Sequence, residues 1–133
     1  MFSINPAAST PIYQQIIEQV KEKILLGALS PGDKLPSVRE LATQITINPN
    51  TIQKAYQELE RQNIIVTVQG RGTFVAERYE GKLDSGQKSR LQKYLRKGII
   101  DGLYLGLSGK EIANIVHQLL DELEVRGEGH VKD

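Results

Sequence analysis

The sequence predicts a mainly α-helical protein with one small β-hairpin, on three observations. Apolar residues recur at helical spacing at both ends of the chain: Tyr13, Ile16, Ile17, Val20 and Ile24, and again Ile112, Ile115, Val116, Leu119, Leu120 and Leu123. Helix starts are written beside their helices. Ser37 with Glu40 and Ser108 with Glu111 are capping boxes, and Thr10-Pro11 and Asn48-Pro49 each pair a capping side chain with a proline suited to the first helical turn. One stretch reads as β: Ile64-Ile65-Val66-Thr67-Val68 and Thr73-Phe74-Val75, joined by Gln69-Gly70-Arg71-Gly72.

Taken in order, residues 1–9 are an arm without periodicity. A helix follows over residues 11–26, stopped by Gly27. Leu29-Ser30-Pro31-Gly32-Asp33 is a turn, and Lys34-Leu35-Pro36 is extended because the residue before proline avoids the α region. A second helix over 38–45 buries Val38, Leu41, Ala42 and Ile45. A third over 49–62 buries Ile52, Ala55, Tyr56 and Leu59, and Asn63 ends it. Two short helices joined by a tight turn form a helix-turn-helix, and the hairpin after them is a wing with Arg71 at its tip. Residues 10–78 thus predict a winged helix-turn-helix domain.

Residues 79–133 read as a linker and an α-helical region. Leu91, Leu95, Ile99, Gly102 and Leu103 form a moderate stripe, the Ser108 box opens a strongly amphipathic helix, and residues 126–133 read as frayed. Two helices cannot hide both of their apolar faces alone. They need the first domain, a second copy, or both. The reading is a C-terminal dimerisation hairpin with Leu91, Leu95, Ile99, Ile112, Ile115, Val116, Leu119, Leu120 and Leu123 at the interface.

Composition excludes more than it assigns. The chain of 133 residues has 39% hydrophobic and 25% charged residues and no cysteine. Disulfides, thiolate metal sites and cysteine nucleophiles are out, which fits a cytoplasmic location. The first residues show neither a basic nor an apolar signal region, and no run approaches the ~18 apolar residues of a membrane span. The two histidines, His117 and His130, stand far apart, so no metal site is expected. No nucleophile–base pair and no phosphate-cradling loop appears, since Gly70-Arg71-Gly72 leads from strand to strand. The expectation is no enzyme and no cofactor. A net charge of +1 is low for a nucleic-acid binder, so the position of charge matters more than its sum.

Arg39, in the first turn of the second helix, can clamp a phosphate or a guanine edge, or can simply pair with Glu40 or Glu58. Asn48, Asn50 and Thr51 crowd the start of the third helix, where capping and phosphate binding are compatible roles. Gln53 suits adenine and Lys54 a phosphate. Tyr56 reads as core, its hydroxyl reaching the second helix or DNA. Arg71 suits a narrow minor groove or is an ordinary hairpin-tip cation, with Gly70 and Gly72 shaping the turn. Lys88, Arg90, Lys93, Arg96 and Lys97 read as a solvated face, with flanking phosphate contacts as the alternative.

Residues 10–76 resemble the winged helix-turn-helix domain of GntR-family bacterial transcription regulators. The resemblance rests on Pro31-Gly32-Asp33-Lys34-Leu35-Pro36-Ser37 with Arg39-Glu40-Leu41-Ala42, on Thr51 through Leu59, and on Gly70-Arg71-Gly72-Thr73-Phe74-Val75. Pro11-Ile12-Tyr13-Gln14-Gln15-Ile16, Asn48-Pro49-Asn50-Thr51 and Leu105-Gly106-Leu107-Ser108 resemble the YtrA subfamily. It implies a homodimer on double-stranded DNA, with a two-helix tail in place of a large effector domain. It also suggests control of neighbouring transporter genes. The chain departs from the pattern in two ways. Thr46 stands where the turn commonly has Gly, which points to a locally different turn. Pro49 and Gln53 stand where some relatives have arginine, which moves specificity toward Arg39 and Arg71. The expected function is a DNA-binding transcriptional regulator, a repressor on a palindromic operator. The rival is a winged-helix protein-interaction module. The residues identify no small-molecule effector.

Overall fold

The computed structural model describes residues 2–77 and 85–124, which fall into two compact units. The first unit holds α1 (Ile12–Leu25), β1 (Lys34–Leu35), α2 (Val38–Ile45), α3 (Pro49–Arg61), β2 (Ile65–Val68) and β3 (Gly72–Val75). The second holds α4 (Ser85–Tyr104) and α5 (Gly109–Glu124). The linker before α4, at residues 78–84, and the end of the chain read as frayed, residues 126–133 with His130, lie outside the described residues.

The core of the first unit is the one the periodicity predicts. Ile16, Ile17 and Val20 of α1 meet Leu41 and Ala42 of α2 and Ile52, Ala55, Tyr56 and Leu59 of α3, closed by Leu35, Ile65 and Val75 from the sheet. Each such side chain contributes roughly 1.5–3 kcal/mol by leaving water. Tyr13 and Ile24 of α1 and Val38 and Ile45 of α2, which the spacing also placed on buried faces, are only half-buried and pack against this core.

The sheet has three strands in the order β1-β3-β2, all antiparallel. The predicted hairpin is present, with Ile65 opposite Val75 and Val68 opposite Gly72. Only its base is buried, and Val66 and Val68 stand in solvent. The segment Lys34-Leu35, expected only to be extended, is a third strand pairing with Phe74 and Thr73. It stops after two residues because Pro36 has no N–H for the ladder. The Gly32 amide donates to Val75 O and the Val75 amide to Asp33 O, both at 2.8 Å, which ties the turn before α2 to the wing.

Four helices end alike. Beyond each, the chain turns through one left-handed residue, at Gly27, Thr46, Asn63 and Gly106. The next amide then donates back into the last turn: Ala28 to Lys23, Ile47 to Ala42, Ile64 to Leu59 and Leu107 to Gly102. This is the Schellman arrangement. Thr46, at φ 56° and ψ 52°, is therefore in the ordinary geometry of this turn, and the locally different turn expected from the sequence does not occur. A β-branched residue there costs of order 1 kcal/mol. Thr46→Gly is accordingly expected to stabilise the first unit by about 1 kcal/mol, less what glycine adds in unfolded-chain entropy. Urea unfolding checks it, and a lower midpoint would count against the strain.

Two expectations at the N-terminus change. Thr10 is not the cap of α1. Pro11 takes that place, with φ −56° and ψ 149°, and no side chain caps the helix. The arm, which lacked any pattern, is docked on α1, with Phe2 and Ile4 against the core. The Ser3 amide donates to Gln19 Oε1 at 2.9 Å, and Gln19 Nε2 to Ser3 O at 2.7 Å. The Asn5 amide donates to Gln15 Oε1 at 2.9 Å, and Gln15 Nε2 to Asn5 O at 3.0 Å and Thr10 O at 2.8 Å. The geometry permits it because four residues of helix (~6 Å) match two of extended chain (~6.6 Å). Two carboxamides on one helix face so act as strand partners for alternate residues of the arm.

In the second unit the Ser108 capping box forms as predicted. The Ser108 amide donates to Glu111 Oε1 at 2.8 Å and the Glu111 amide to Ser108 Oγ at 3.0 Å. Gly102 is buried beneath α5, where an added Cβ would lie 3.0 Å from Ile112 Cδ1. Ile112 and Leu123 are half-buried. The other predicted interface residues, Leu91, Leu95, Ile99, Ile115, Val116, Leu119 and Leu120, remain between 43% and 52% exposed, and no residue of α5 is buried.

Candidate nucleic-acid interface

The start of α2 is built by its capping box: Glu40 N–H donates to Ser37 Oγ at 3.0 Å and the Ser37 amide to Glu40 Oε1 at 2.8 Å. Those bonds from Ser37 hold the Glu40 carboxyl below the usual range. Arg39 sits beside it, exposed. The sequence offered Glu40 or Glu58 as its ion partner, and both are otherwise engaged. Glu58 takes Arg61 Nε at 3.0 Å and also Gln62, and the Arg61 bonds above all pull its carboxyl down to about 2. Among the described residues Arg39 has no ion-pair partner, which leaves the guanidinium free for an external anion.

The start of α3 follows the cap-plus-proline reading. Asn48 Oδ1 accepts the Asn50 amide at 2.8 Å, Pro49 takes the first turn, and the Thr51 amide donates to Asn48 O at 3.0 Å. The Asn48 oxygen is thus spent on the helix, and only its Nδ2 donors remain uncommitted among the described residues. Asn50, Gln53 and Lys54 are exposed and Thr51 is half-buried, while Ile52, Ala55 and Tyr56 are buried behind them. The polar and apolar faces separate cleanly, so the polar residues are free of any part in the core.

Tyr56 holds this helix in place. Its hydroxyl donates to Pro36 O at 2.7 Å, which settles its alternatives in favour of the backbone just ahead of α2. Burial, with the Glu40 carboxylate nearby, pushes the phenol up to about 12. The neutral form is therefore the one the fold holds.

At the wing, the Arg71 amide donates to Val68 O at 2.9 Å, closing a turn in which Gly70 has φ 82°. That is the position of a type II turn that requires glycine or asparagine. Arg71 is exposed beyond it. Gly72 has φ 124°, and a Cβ there would lie 2.8 Å from Lys34 Cε. So the Lys34 stem reaches along β3 to the turn end of the wing. The sequence reading missed this cation because it treated Lys34 as connecting chain; pairing of Lys34 with Phe74 on the adjacent strand brings it there. Lys54, read from the sequence as a phosphate contact, has a partner the sequence did not show: its ammonium stacks on Tyr13 of α1.

The described residues hold no cluster of side chains suited to a metal ion, and no helix among them is long and apolar enough to cross a membrane.

A helix-turn-helix with an unobstructed polar face on its second helix, followed by a cation-tipped wing, defines a winged-helix DNA-binding protein. Residues 12–75 match the model of the bacterial regulatory proteins of the gntR family. The chain belongs to that family. It is 46% identical to the HTH-type transcriptional repressor YtrA of Bacillus subtilis over 133 residues, 100% of this chain and 99% of the relative. Among solved structures, a transcriptional antiterminator from Listeria monocytogenes EGD-e superposes with a TM-score of 0.86 at 40% identity, covering 92% of each chain. The GntR-family transcription factor YtrA from Sulfolobus acidocaldarius superposes at 0.55, with 36% identity over 92% of this chain and 98% of that one. The chain is thus a DNA-binding transcription regulator of the gntR family and not an enzyme.

Proposed function

We propose that this regulator is a cytoplasmic repressor that binds a palindromic operator as a homodimer, with control of neighbouring transporter genes as its role. Each copy lays the N-terminal half of α3 in a major groove and the wing tip in the adjacent minor groove. Arg39 and Arg71 carry most of the contact, with Asn48, Asn50, Thr51, Gln53 and Lys54 between them and Gly70 and Gly72 admitting the DNA backbone. The observation that carries the reading is the unpaired, exposed Arg39 beside a capped helix whose polar residues take no part in the core. The exposed apolar faces of α4 and α5 support the homodimer, since patches of that kind on a monomer mark an interface. Two-fold symmetry of the protein then calls for two-fold symmetry in the site, with half-sites one or more helical turns apart.

Titration of the DNA upstream of the chain's own gene, over a series of salt concentrations, tests this. Arg39→Ala and Arg71→Ala are each expected to weaken binding by roughly 5- to 100-fold, the value of a good base or phosphate contact. A phosphate contact also lowers the salt slope by about one. Unchanged affinity in both variants would rule the docking mode out.

A further inference from the structure

The Lys54 ammonium lies 4.0 Å from the centre of the Tyr13 ring, well inside the ~6 Å reach of a cation–π contact. Tyr13 is half-buried and packed against the core, so its ring is fixed, whereas Lys54 is exposed on the polar face of α3. Of the other cations with described partners, Lys23 lies over the Phe2 ring at the longer distance of 5.7 Å, while Arg61 is held by Glu58 and Lys97 by Asp101. A carboxylate fixes a cation and cancels its field. An aromatic face fixes it and leaves the charge whole.

We propose that Tyr13 is a positioning residue for DNA binding, its ring presenting the Lys54 ammonium, ordered but not neutralised, to a phosphate. The inference rests on the DNA-binding reading above and brings α1 into the recognition surface. A lysine loses much rotamer freedom when its ammonium is pinned to a phosphate. Stacking in the free protein has already taken part of that loss, which is preorganisation.

The test uses the full chain on the same upstream DNA, with Tyr13→Phe, Tyr13→Leu, Lys54→Ala and the double variant Tyr13→Leu/Lys54→Ala. Tyr13→Met repeats the measurement if the leucine variant melts early. Tyr13→Phe keeps the ring and should bind like the parent. Tyr13→Leu should lose about 2- to 5-fold, the size of an exposed cation–π contact, with the salt slope unchanged. Lys54→Ala should lower the slope by about one, and the double variant should equal it. In the free protein, the Lys54 Hε protons should show an upfield ring-current shift in the parent and Tyr13→Phe that disappears in Tyr13→Leu. Equal fractional losses from Tyr13→Leu with and without Lys54, or a loss in Tyr13→Phe as large as in Tyr13→Leu, would overturn this inference alone. A parent protein that binds no DNA would overturn the functional reading and this inference together.

Discussion

Ile115→Asp combined with Leu119→Asp is expected to leave the protein monomeric and to weaken operator binding by about 100-fold or more. The two residues lie one turn apart on α5, 44% and 49% exposed in the single chain. Aspartate is tolerable on an exposed helix, costing roughly half a kcal/mol or so in propensity. It is not tolerable in an apolar interface, where an unpaired carboxylate costs several kcal/mol. A substitution harmless to the monomer and severe for the dimer is therefore the discriminating one. The loss in DNA affinity follows from valency. Two heads joined through their tails bind the second half-site at a high effective concentration, worth about 10²–10⁴ in avidity, and separated heads forfeit it. Sedimentation equilibrium reads the first effect and titration on the whole palindrome reads the second. On a single half-site, parent and variant should converge. Retained dimerisation with parental affinity would move the interface off α5.

How far the sequence carried this picture differs by element. Helices were legible where a local signal stands beside them: the boxes at Ser37 and Ser108 and the asparagine–proline pair at Asn48 start α2, α5 and α3, and Gly27 and Asn63 stop α1 and α3. Core positions followed from the 3.6-residue period. What stayed hidden depends on partners distant in the chain. The strand at Lys34 exists only because β3 arrives beside it, and two residues carry no period. The arm is ordered by Gln15 and Gln19, residues that look like ordinary surface glutamines until an extended segment is laid along them. The contact between Tyr13 and Lys54 spans two helices, and the periodicity pointed the other way by assigning Tyr13 to the core face. For the interface, spacing could say that Arg39 is exposed. Whether it was free depended on where Glu40 and Glu58 spend their carboxylates. The Glu40 pairing was readable from the capping box. The Glu58 pairing was one of several open to it, and only the folded helix shows Arg61 and Gln62 converging on it.

Ile52→Ala is expected to destabilise the first unit by about 2–5 kcal/mol and Ile52→Val by about 0.5–1.5 kcal/mol. Ile52 is fully buried, yet its neighbours Thr51 and Gln53 belong to the proposed reading face. It is the point where the core holds the end of α3 that carries the proposed reading face. Removing three carbons leaves a cavity that α1 and α2 cannot fill, because Ile16, Ile17 and Leu41 around the core are themselves fully buried. Against a typical domain stability of about 5–15 kcal/mol the alanine variant is severe. Urea unfolding followed by circular dichroism measures it, with m unchanged if the loss is in the native state. Arg39→Ala supplies the contrast, because an exposed, unpaired side chain should leave the unfolding midpoint where it was while affinity falls. A loss below 1 kcal/mol for Ile52→Ala would mean that the reading end of α3 is not seated on this core. Its alignment in the groove would then have to come from the DNA, and the free energy of ordering it would be subtracted from binding.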